Sequence, residues 1–197
     1  ERSFMEQLTN QFIQELLRKQ KQYFSENHTL SAEFRRAALL KLRHAILSGQ
    51  TELERALFED LGKHPQECYT SEIGFVLTEI THTLKHLKTW MKPIRKKSPM
   101  YVFSSKSRIE KQPYGSVLIM GPFNYPFQLL IAPLVAAIAA GNCAVLSPSE
   151  LTPHTAAVIK KLISDCFPSE LVFCTDGGIE NNDKLLHSRF DKIFFTG

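Results

Sequence analysis

The chain has 197 residues, of which 43% are hydrophobic and 22% are charged, a balance typical of a globular domain with a buried core. The formal net charge is +4, but residues 1–112 carry 19 Lys and Arg against 13 Asp and Glu, whereas residues 113–197 carry 5 against 7. The four cysteines form no C-x-x-C pair, which argues against a disulfide framework or a zinc knuckle and favours a reducing cytoplasm.

No stretch of the sequence resembles a membrane span. The longest apolar run, Leu129–Ala140, has about 12 residues and contains Pro133, so it is better suited to a buried helix. No basic segment followed by an apolar run opens the sequence, which argues against a signal peptide. We therefore expect a cytoplasmic protein with no membrane partner.

Helices are predicted in the first half of the chain. The first shows apolar residues at helical spacing: Phe4, Leu8, Phe12 and Leu16. A second helix can begin at Ser31 and end before Gly49. A third has Thr51 and Glu54 at capping-box spacing and Gly62 as its stop.

A fourth helix is predicted from about Tyr69 to Met91, and Pro93 ends it. Seven apolar residues fall on one face of this helix, which indicates that the face is buried. They are Ile73, Val76, Leu77, Ile80, Leu84, Leu87 and Met91.

The pattern changes after Pro93. A polar connection leads to a β-rich stretch at 101–111, and from there short apolar strands alternate with helices. The strands are predicted at 116–120, 143–147, 171–175 and 192–197. The intervening helices are predicted after Pro126, from Pro153 to Cys166, and around Asp183–His187.

This alternation predicts an α/β fold, with a Rossmann-like parallel sheet and flanking helices that follow a helical amino-terminal region. The expected divisions are 1–99, the β-rich segment 100–112, and the βαβ part 113–197. Because the sequence stops directly after a strand, where a loop and helix ought to follow, we expect an incomplete domain.

Ligands of such sheets bind at the carboxyl ends of the strands, but no G-x-G-x-x-G fingerprint is found there. One carboxylate, Glu150, follows the second strand and could accept hydrogen bonds from ribose hydroxyls. The alternative is that Glu150 is an exposed loop residue before a helix capped by Thr152, with Pro153 at its first position.

Three other candidate sites are weaker. Cys174 ends a strand, but no histidine has a defined relation to it, and both Cys174 and Cys143 are better explained as core thiols. His82 and His86 lie four apart on a helix without an H-E-x-x-H motif, so we expect solvated helix surface and no metal site. A run of basic residues suggests the hypothesis of a nucleic-acid-binding module. No recognition motif follows the run, so we expect no nucleic-acid partner. The run is Lys85, Lys88, Lys92, Arg95, Lys96 and Lys97.

Residues 112–150 read QPYGSVLIMGPFNYPFQLLIAPLVAAIAAGNCAVLSPSE, and residues 189–197 read RFDKIFFTG. Both resemble the aldehyde dehydrogenase superfamily, nearest to its class 3 branch. The earlier stretch ELERALFEDLGKHPQECYTSEIGFVLTEI is similar to the helices that precede the cofactor sheet in that family. The resemblance implies the amino-terminal, cofactor-binding part of an NAD(P)-dependent enzyme that oxidises an aldehyde to a carboxylic acid through a cysteine thioester.

The resemblance gives Asn124 a catalytic role. It occupies the place of the family asparagine whose side-chain amide donates to the aldehyde oxygen during thiolate attack. A neutral amide can stabilise an oxyanion without neutralising the nearby thiolate. From the residues alone, Asn124 could instead cap the helix that begins at Pro126, and both roles can hold together.

The resemblance also implies the cofactor site, with NAD favoured over NADP. Glu150 would hold the adenosine ribose, and the other residues would border the cofactor. These are Met120, Gly121, Pro122, Phe123, Ser147, Pro148, Gly177, Gly178, Thr196 and Gly197.

The sequence departs from the family at two points. Ser147 stands where the family usually has a lysine that contacts the ribose. The family's catalytic cysteine and water-activating glutamate both follow the F-T-G turn, so they are expected beyond Gly197, and the 197-residue chain alone should be inactive. The alternative is a non-catalytic nucleotide-binding or oligomerisation remnant. The stretch Tyr101–Lys111 resembles the family's oligomerisation region, which implies at least a homodimer.

Overall fold

Three layers make up residues 8–197, the part of the chain that the computed structural model describes: helices, a parallel sheet and further helices. The helices are α1 (Asn10–Ser25), α2 (Ala32–Ser48), α3 (Gln50–Leu61), α4 (Pro65–Cys68), α5 (Gly74–Trp90), α6 (Gln128–Ala140), α7 (Pro153–Cys166) and α8 (Ile179–Leu186). The strands are β1 (Ile94–Lys96), β2 (Ser107–Ile109), β3 (Ser116–Met120), β4 (Cys143–Ser147), β5 (Val172–Cys174) and β6 (Lys192–Phe195).

The main sheet has the order β5-β4-β3-β6, and all of its neighbouring strands are parallel. This confirms the predicted parallel sheet with flanking helices. The registers pair Ser116 with Cys143 and Val117 with Lys192, so the carboxyl ends of the strands lie along one edge.

A separate two-stranded antiparallel ribbon precedes the sheet, with Ile94 opposite Ile109. The segment 95–100 was expected to be a polar connection, and for Arg95 and Lys96 that prediction is wrong because they pair with β2. The predicted β-rich stretch contains β2 and a 3₁₀ turn at Met100–Val102.

Each face of the sheet has its own core. Helices α2, α5, α6 and α7 contribute to the larger cluster, in which Leu42, Ile80 and Leu134 are fully buried. Helices α1 and α8 cover the other face, where Leu16 and Leu185 pack against β3 and β4. None of the helices within residues 8–197 has both the length and the hydropathy to cross a membrane.

The first two predicted helices are both present in the structure. Ser31 caps α2, as predicted, by accepting a hydrogen bond from the Phe34 N–H at 3.0 Å. The α1 helix begins after Thr9. Of the four apolar residues at helical spacing, Leu8 and Leu16 are buried, Phe12 is 43% exposed, and Phe4 lies outside the described residues.

The predicted capping box at Thr51 and Glu54 is wrong. Gly49 alone joins α2 to α3, so α3 begins at Gln50 and both residues lie inside it. Gly62 ends α3 as predicted, with φ at +66°, in the left-handed region where glycine is favoured.

The fourth helix begins before its predicted start. It opens as α4 at Pro65 and passes through a π turn at Tyr69–Ile73 before α5. Gly74 closes the turn tightly, since a Cβ there would lie 2.7 Å from the Tyr69 carbonyl oxygen. Glu72 and Ile73 lie in this turn with no exposed surface. Five residues of the predicted apolar stripe are buried, while Leu84 and Met91 are partly buried against the core.

The cap of α7 comes from another helix. Thr152 precedes the helix and Pro153 occupies its first turn, as predicted, but the Thr152 side chain makes no capping hydrogen bond. The Asp60 carboxylate, near the end of α3, accepts instead from the N–H groups of His154 (3.1 Å) and Thr155 (2.7 Å). An anion at this position also complements the positive end of the helix dipole.

Asp60→Ala is therefore expected to lower the free energy of unfolding by about 1 kcal/mol, the typical cost of a lost amino-terminal cap. The measurement is a denaturant titration. Glu59→Ala is the matched control, because this neighbouring exposed carboxylate pairs with the His154 ring at 3.2 Å and accepts from no backbone N–H of α7. Equal losses for the two variants would contradict the capping role of Asp60.

Candidate functional site

Backbone hydrogen bonds hold the ends of the four parallel strands beside one another. The Gly121 N–H donates to the Ser147 carbonyl at 3.1 Å, and the Thr196 N–H donates to the Met120 carbonyl at 3.1 Å. The Thr175 N–H donates to the Leu146 carbonyl at 2.9 Å. The structure therefore brings the predicted cofactor residues to one edge of the sheet.

Two glycines at this edge lie in close contact with other parts of the chain. A Cβ on Gly121 would lie 3.2 Å from Leu130 of α6, and one on Gly177 would lie 2.0 Å from the Pro148 carbonyl oxygen. Gly177 also has φ at +72°. Close contact with Leu130 of α6 and with the Pro148 carbonyl accounts for a small residue at these two positions.

Ser147 and Glu150 differ in their surroundings. Ser147 is 2% exposed; its hydroxyl donates to Asn182 of α8 and accepts from Thr175 at 3.4 Å. Glu150 is partly buried, and within the described part of the chain its carboxylate has no hydrogen bond or ion pair. Of the two, only Glu150 has a polar group available for a ligand.

Asn124 lies on the exposed loop between β3 and α6. Its side-chain oxygen accepts from the Tyr125 N–H at 3.0 Å, and its NH₂ group has no partner within residues 8–197. Since α6 begins at Gln128, the prediction that Asn124 caps a helix starting at Pro126 is wrong. The arrangement leaves the two amide N–H groups free to donate.

Glu72 performs the capping that was expected of Asn124. One of its carboxylate oxygens accepts from the N–H groups of Phe127 (2.9 Å) and Gln128 (3.0 Å) at the start of α6. The other oxygen forms an ion pair with the Lys63 ammonium. Lys63 in turn donates to the Asn124 carbonyl at 2.7 Å, completing a buried network behind the loop.

Sequence reasoning missed Lys63 and Glu72. Glu72 directly precedes Ile73 and lies four residues before Val76, so a carboxylate on the buried face of the helix was a usable signal. Its partners were not readable, because Lys63 is 61 residues from Asn124 and Glu72 is 55 from Phe127.

The four cysteines are all free and buried. Burial raises the pKa of each thiol, to about 12 for Cys143, and the pKa of Cys174 is also raised chiefly by burial. A thiol with a raised pKa is a poor nucleophile at neutral pH. Their environment therefore fits packing and not catalysis.

The two helical histidines take part in aromatic contacts. The rings of His82 and His86 have centroids 4.3 Å apart, and His86 stacks on Trp90 at 5.7 Å. No group of three or more His, Cys, Asp and Glu side chains within residues 8–197 is arranged to hold a metal ion. The basic run follows the exposed end of α5, the turn after it and β1, and it ends at Lys97 directly after β1.

Curated relatives match most of the chain. A 4,4'-diaponeurosporen-aldehyde dehydrogenase of Staphylococcus aureus is 48% identical over 177 residues, covering 90% of this chain and 39% of the relative. Aldehyde dehydrogenase family 3 member F1 of Arabidopsis thaliana is 34% identical, covering 94% of this chain and 38% of the relative.

Solved structures share the fold. A substrate-bound Staphylococcus aureus AldH superposes with a TM-score of 0.91 at 45% identity, covering 93% of this chain and 40% of that one. A Streptococcus pyogenes succinic semialdehyde dehydrogenase in complex with NADP⁺ has a TM-score of 0.80 at 14% identity, which shows the fold alone.

The chain thus spans about 40% of the length of the relatives it matches. The model of the aldehyde dehydrogenase family matches residues 4–197, nearly the whole sequence. Because of this match, and because its relatives are class 3-like, the chain belongs to the aldehyde dehydrogenase family.

Proposed function

We propose that the protein containing this chain oxidises an aldehyde to a carboxylic acid with NAD(P), and that residues 8–197 supply its cofactor edge and its oxyanion donor. The observation that carries the proposal is the Asn124 side chain. It is exposed, its oxygen is held by the Tyr125 N–H, and its NH₂ group has no partner within the described residues.

One carboxylate at this edge of the sheet is available to a dinucleotide and is not used in packing within the chain. The Glu150 carboxylate is partly buried beyond β4 without a partner among residues 8–197. It can accept hydrogen bonds from ribose hydroxyls, with Met120–Phe123, Pro148, Gly177, Gly178, Thr196 and Gly197 bordering the cofactor. When bound, the nicotinamide supplies the hydride acceptor.

Asn124 acts on the aldehyde oxygen. As a thiolate adds to the carbonyl carbon, negative charge develops on that oxygen, and a held amide N–H donates to it without reorganisation. The thiolate comes from a cysteine outside these 197 residues, since burial raises the pKa of all four cysteines here.

The proposal extends to assembly and location. The β-rich segment 100–112 is kept as a division of its own, although β1 of the ribbon precedes it; its Met100, Tyr101 and Phe103 side chains are 89%, 86% and 88% exposed. Large apolar side chains at this exposure favour a protein contact, which supports a homodimer or higher homo-oligomer. Four free cysteines support a reducing cytoplasm.

The test is NAD(P)H formation by the complete protein with a panel of aldehydes. The panel includes 4,4'-diaponeurosporen-aldehyde, which the name of the Staphylococcus aureus relative specifies. Turnover by the complete protein but not by the 197-residue chain is expected. A complete protein that binds dinucleotide and oxidises none of the aldehydes would favour the non-catalytic alternative.

A preference for NAD over NADP is part of the proposal. Glu150 would repel a 2′-phosphate, and Ser147, whose hydroxyl is bonded to Asn182 and Thr175, brings no charge where a lysine would offer a cation. Ser147→Lys in the complete protein is expected to lower the dissociation constants of both cofactors, and that of NADP more than that of NAD. The expected change is roughly 10- to 100-fold, the equivalent of one charge-assisted hydrogen bond.

The measurement is a titration of both cofactors at fixed ionic strength. Ser164→Lys, on the exposed surface of α7, is the control for a general charge effect. Unchanged dissociation constants in the Ser147→Lys protein would mean that residue 147 does not face the cofactor. Its hydrogen bond to Asn182 would then define its role.

A further inference from the structure

We infer that Lys63 and Glu72 are positioning residues that orient the Asn124 amide toward the reacting oxygen. The inference rests on the proposed role of Asn124 as oxyanion donor. Neither side chain touches the aldehyde in this scheme. Both act through the peptide bond between Asn124 and Tyr125.

That peptide is held at both of its polar ends. Its carbonyl oxygen, on Asn124, accepts from the Lys63 ammonium at 2.7 Å. Its N–H, on Tyr125, donates to the Asn124 side-chain oxygen at 3.0 Å. Lys63 therefore sets the plane of the peptide, and the peptide N–H sets the direction of the side-chain amide.

Lys63 is itself fixed in position. It is 7% exposed, forms an ion pair with Glu72, and lies 4.2 Å from the centroid of the Tyr125 ring. The carboxylate and the ring face both attract the cation, so its N–H toward Asn124 has little freedom. The Glu72 carboxylate is anchored in turn by the Phe127 and Gln128 N–H groups.

The π turn connects this network to the fold. It holds Glu72 with no exposed surface at the start of α6, where the helix dipole favours an anion. Gly62 ends α3 directly before Lys63, which places the lysine in the connection to α4. Local π turns are frequent at functional sites.

A purely structural role and a positioning role of Lys63 predict different effects of its substitution on kcat. The control is another buried cation, which lies near the other end of α6. There, Arg35 is 6% exposed and donates to the carbonyls of Thr29 (2.8 Å) and Ala139 (3.1 Å). Lys63 and Arg35 are both buried cations that donate to backbone carbonyls, Lys63 to a carbonyl before the start of α6 and Arg35 to one near its end. Only Lys63 contacts the Asn124 peptide.

The experiment is a double-mutant cycle in the complete protein, measured well below the unfolding transition of every variant. Lys63→Met is expected to lower kcat roughly 10- to 100-fold with the cofactor dissociation constant unchanged, since small misplacements of a catalytic group have effects of this size. In an Asn124→Ala background, the same substitution should change kcat less than about 3-fold. Arg35→Met should leave kcat within about 3-fold in both backgrounds.

If Lys63→Met fails to fold, Lys63→Met/Glu72→Gln replaces it in the cycle, because it removes both charges together. An equal loss of kcat from Lys63→Met in both backgrounds, or none in either, overturns the positioning role. A near-normal kcat for Asn124→Ala alone would instead overturn the proposed function. The two failures are therefore distinguishable.

Discussion

Asn124→Ala in the complete protein is expected to lower kcat roughly 100- to 1000-fold, the usual effect of losing one preorganised oxyanion donor. The cofactor dissociation constant should stay unchanged, because the amide acts on the aldehyde oxygen. The structure also limits the effect on stability. Asn124 is exposed and does not cap α6, so the free energy of unfolding should change by no more than about 0.5 kcal/mol.

Asn124→Asp separates donation from local structure. An aspartate keeps an oxygen that can accept from the Tyr125 N–H, but its carboxylate cannot donate and it repels a developing oxyanion. We expect kcat to fall at least as far as in Asn124→Ala. The measurements are single-turnover kinetics and a denaturant titration of each variant. An active Asn124→Asp protein would contradict the donor role.

The sheet could be predicted from the sequence because its determinants are local. Apolar runs such as Ser116–Met120 and Cys143–Ser147 are buried along their whole length, as strands of a parallel sheet covered on both faces must be. The helices between these strands could be predicted because strands and helices alternate along the sequence. Segments paired across an irregular loop, such as β1 with β2, carry no comparable local pattern.

The helix starts were predicted less well because their caps come from distant residues. Asp60 caps α7 across 94 and 95 residues, and Glu72 caps α6 across 55 and 56. A rule based on neighbouring residues assigns these roles to Thr152 and Asn124, the nearest polar side chains. Neither side chain makes the bond.

The candidate site divides in the same way. Asn124 and Glu150 were singled out because they follow apolar strands and fit a family motif. Lys63 and Glu72 belong to the helical region before the sheet, and only tertiary packing brings them to the Asn124 loop. Residues that touch a ligand can be recognised by their motif, whereas residues that hold them in place require the fold.

The largest expected effect on stability belongs to the buried pair Lys63–Glu72. The two side chains are 9% and 0% exposed, so each loses its hydration on folding and depends on the other for compensation. Lys63→Met leaves a buried carboxylate without its cation and is expected to lower the free energy of unfolding by about 3–5 kcal/mol. Glu72→Gln leaves a buried ammonium and should lower it by a similar amount.

The double variant Lys63→Met/Glu72→Gln is expected to be more stable than either single variant, because it leaves no unpaired buried charge and its glutamine oxygen can still accept from Phe127 or Gln128. Denaturant titrations of all four proteins measure the coupling. Lys161→Met and Glu52→Gln form the control cycle, since that ion pair is 62% and 40% exposed and should couple by less than about 1 kcal/mol. If the losses at positions 63 and 72 simply add, the two charges are independently solvated. Lys63 would then have no fixed position from which to hold the Asn124 carbonyl.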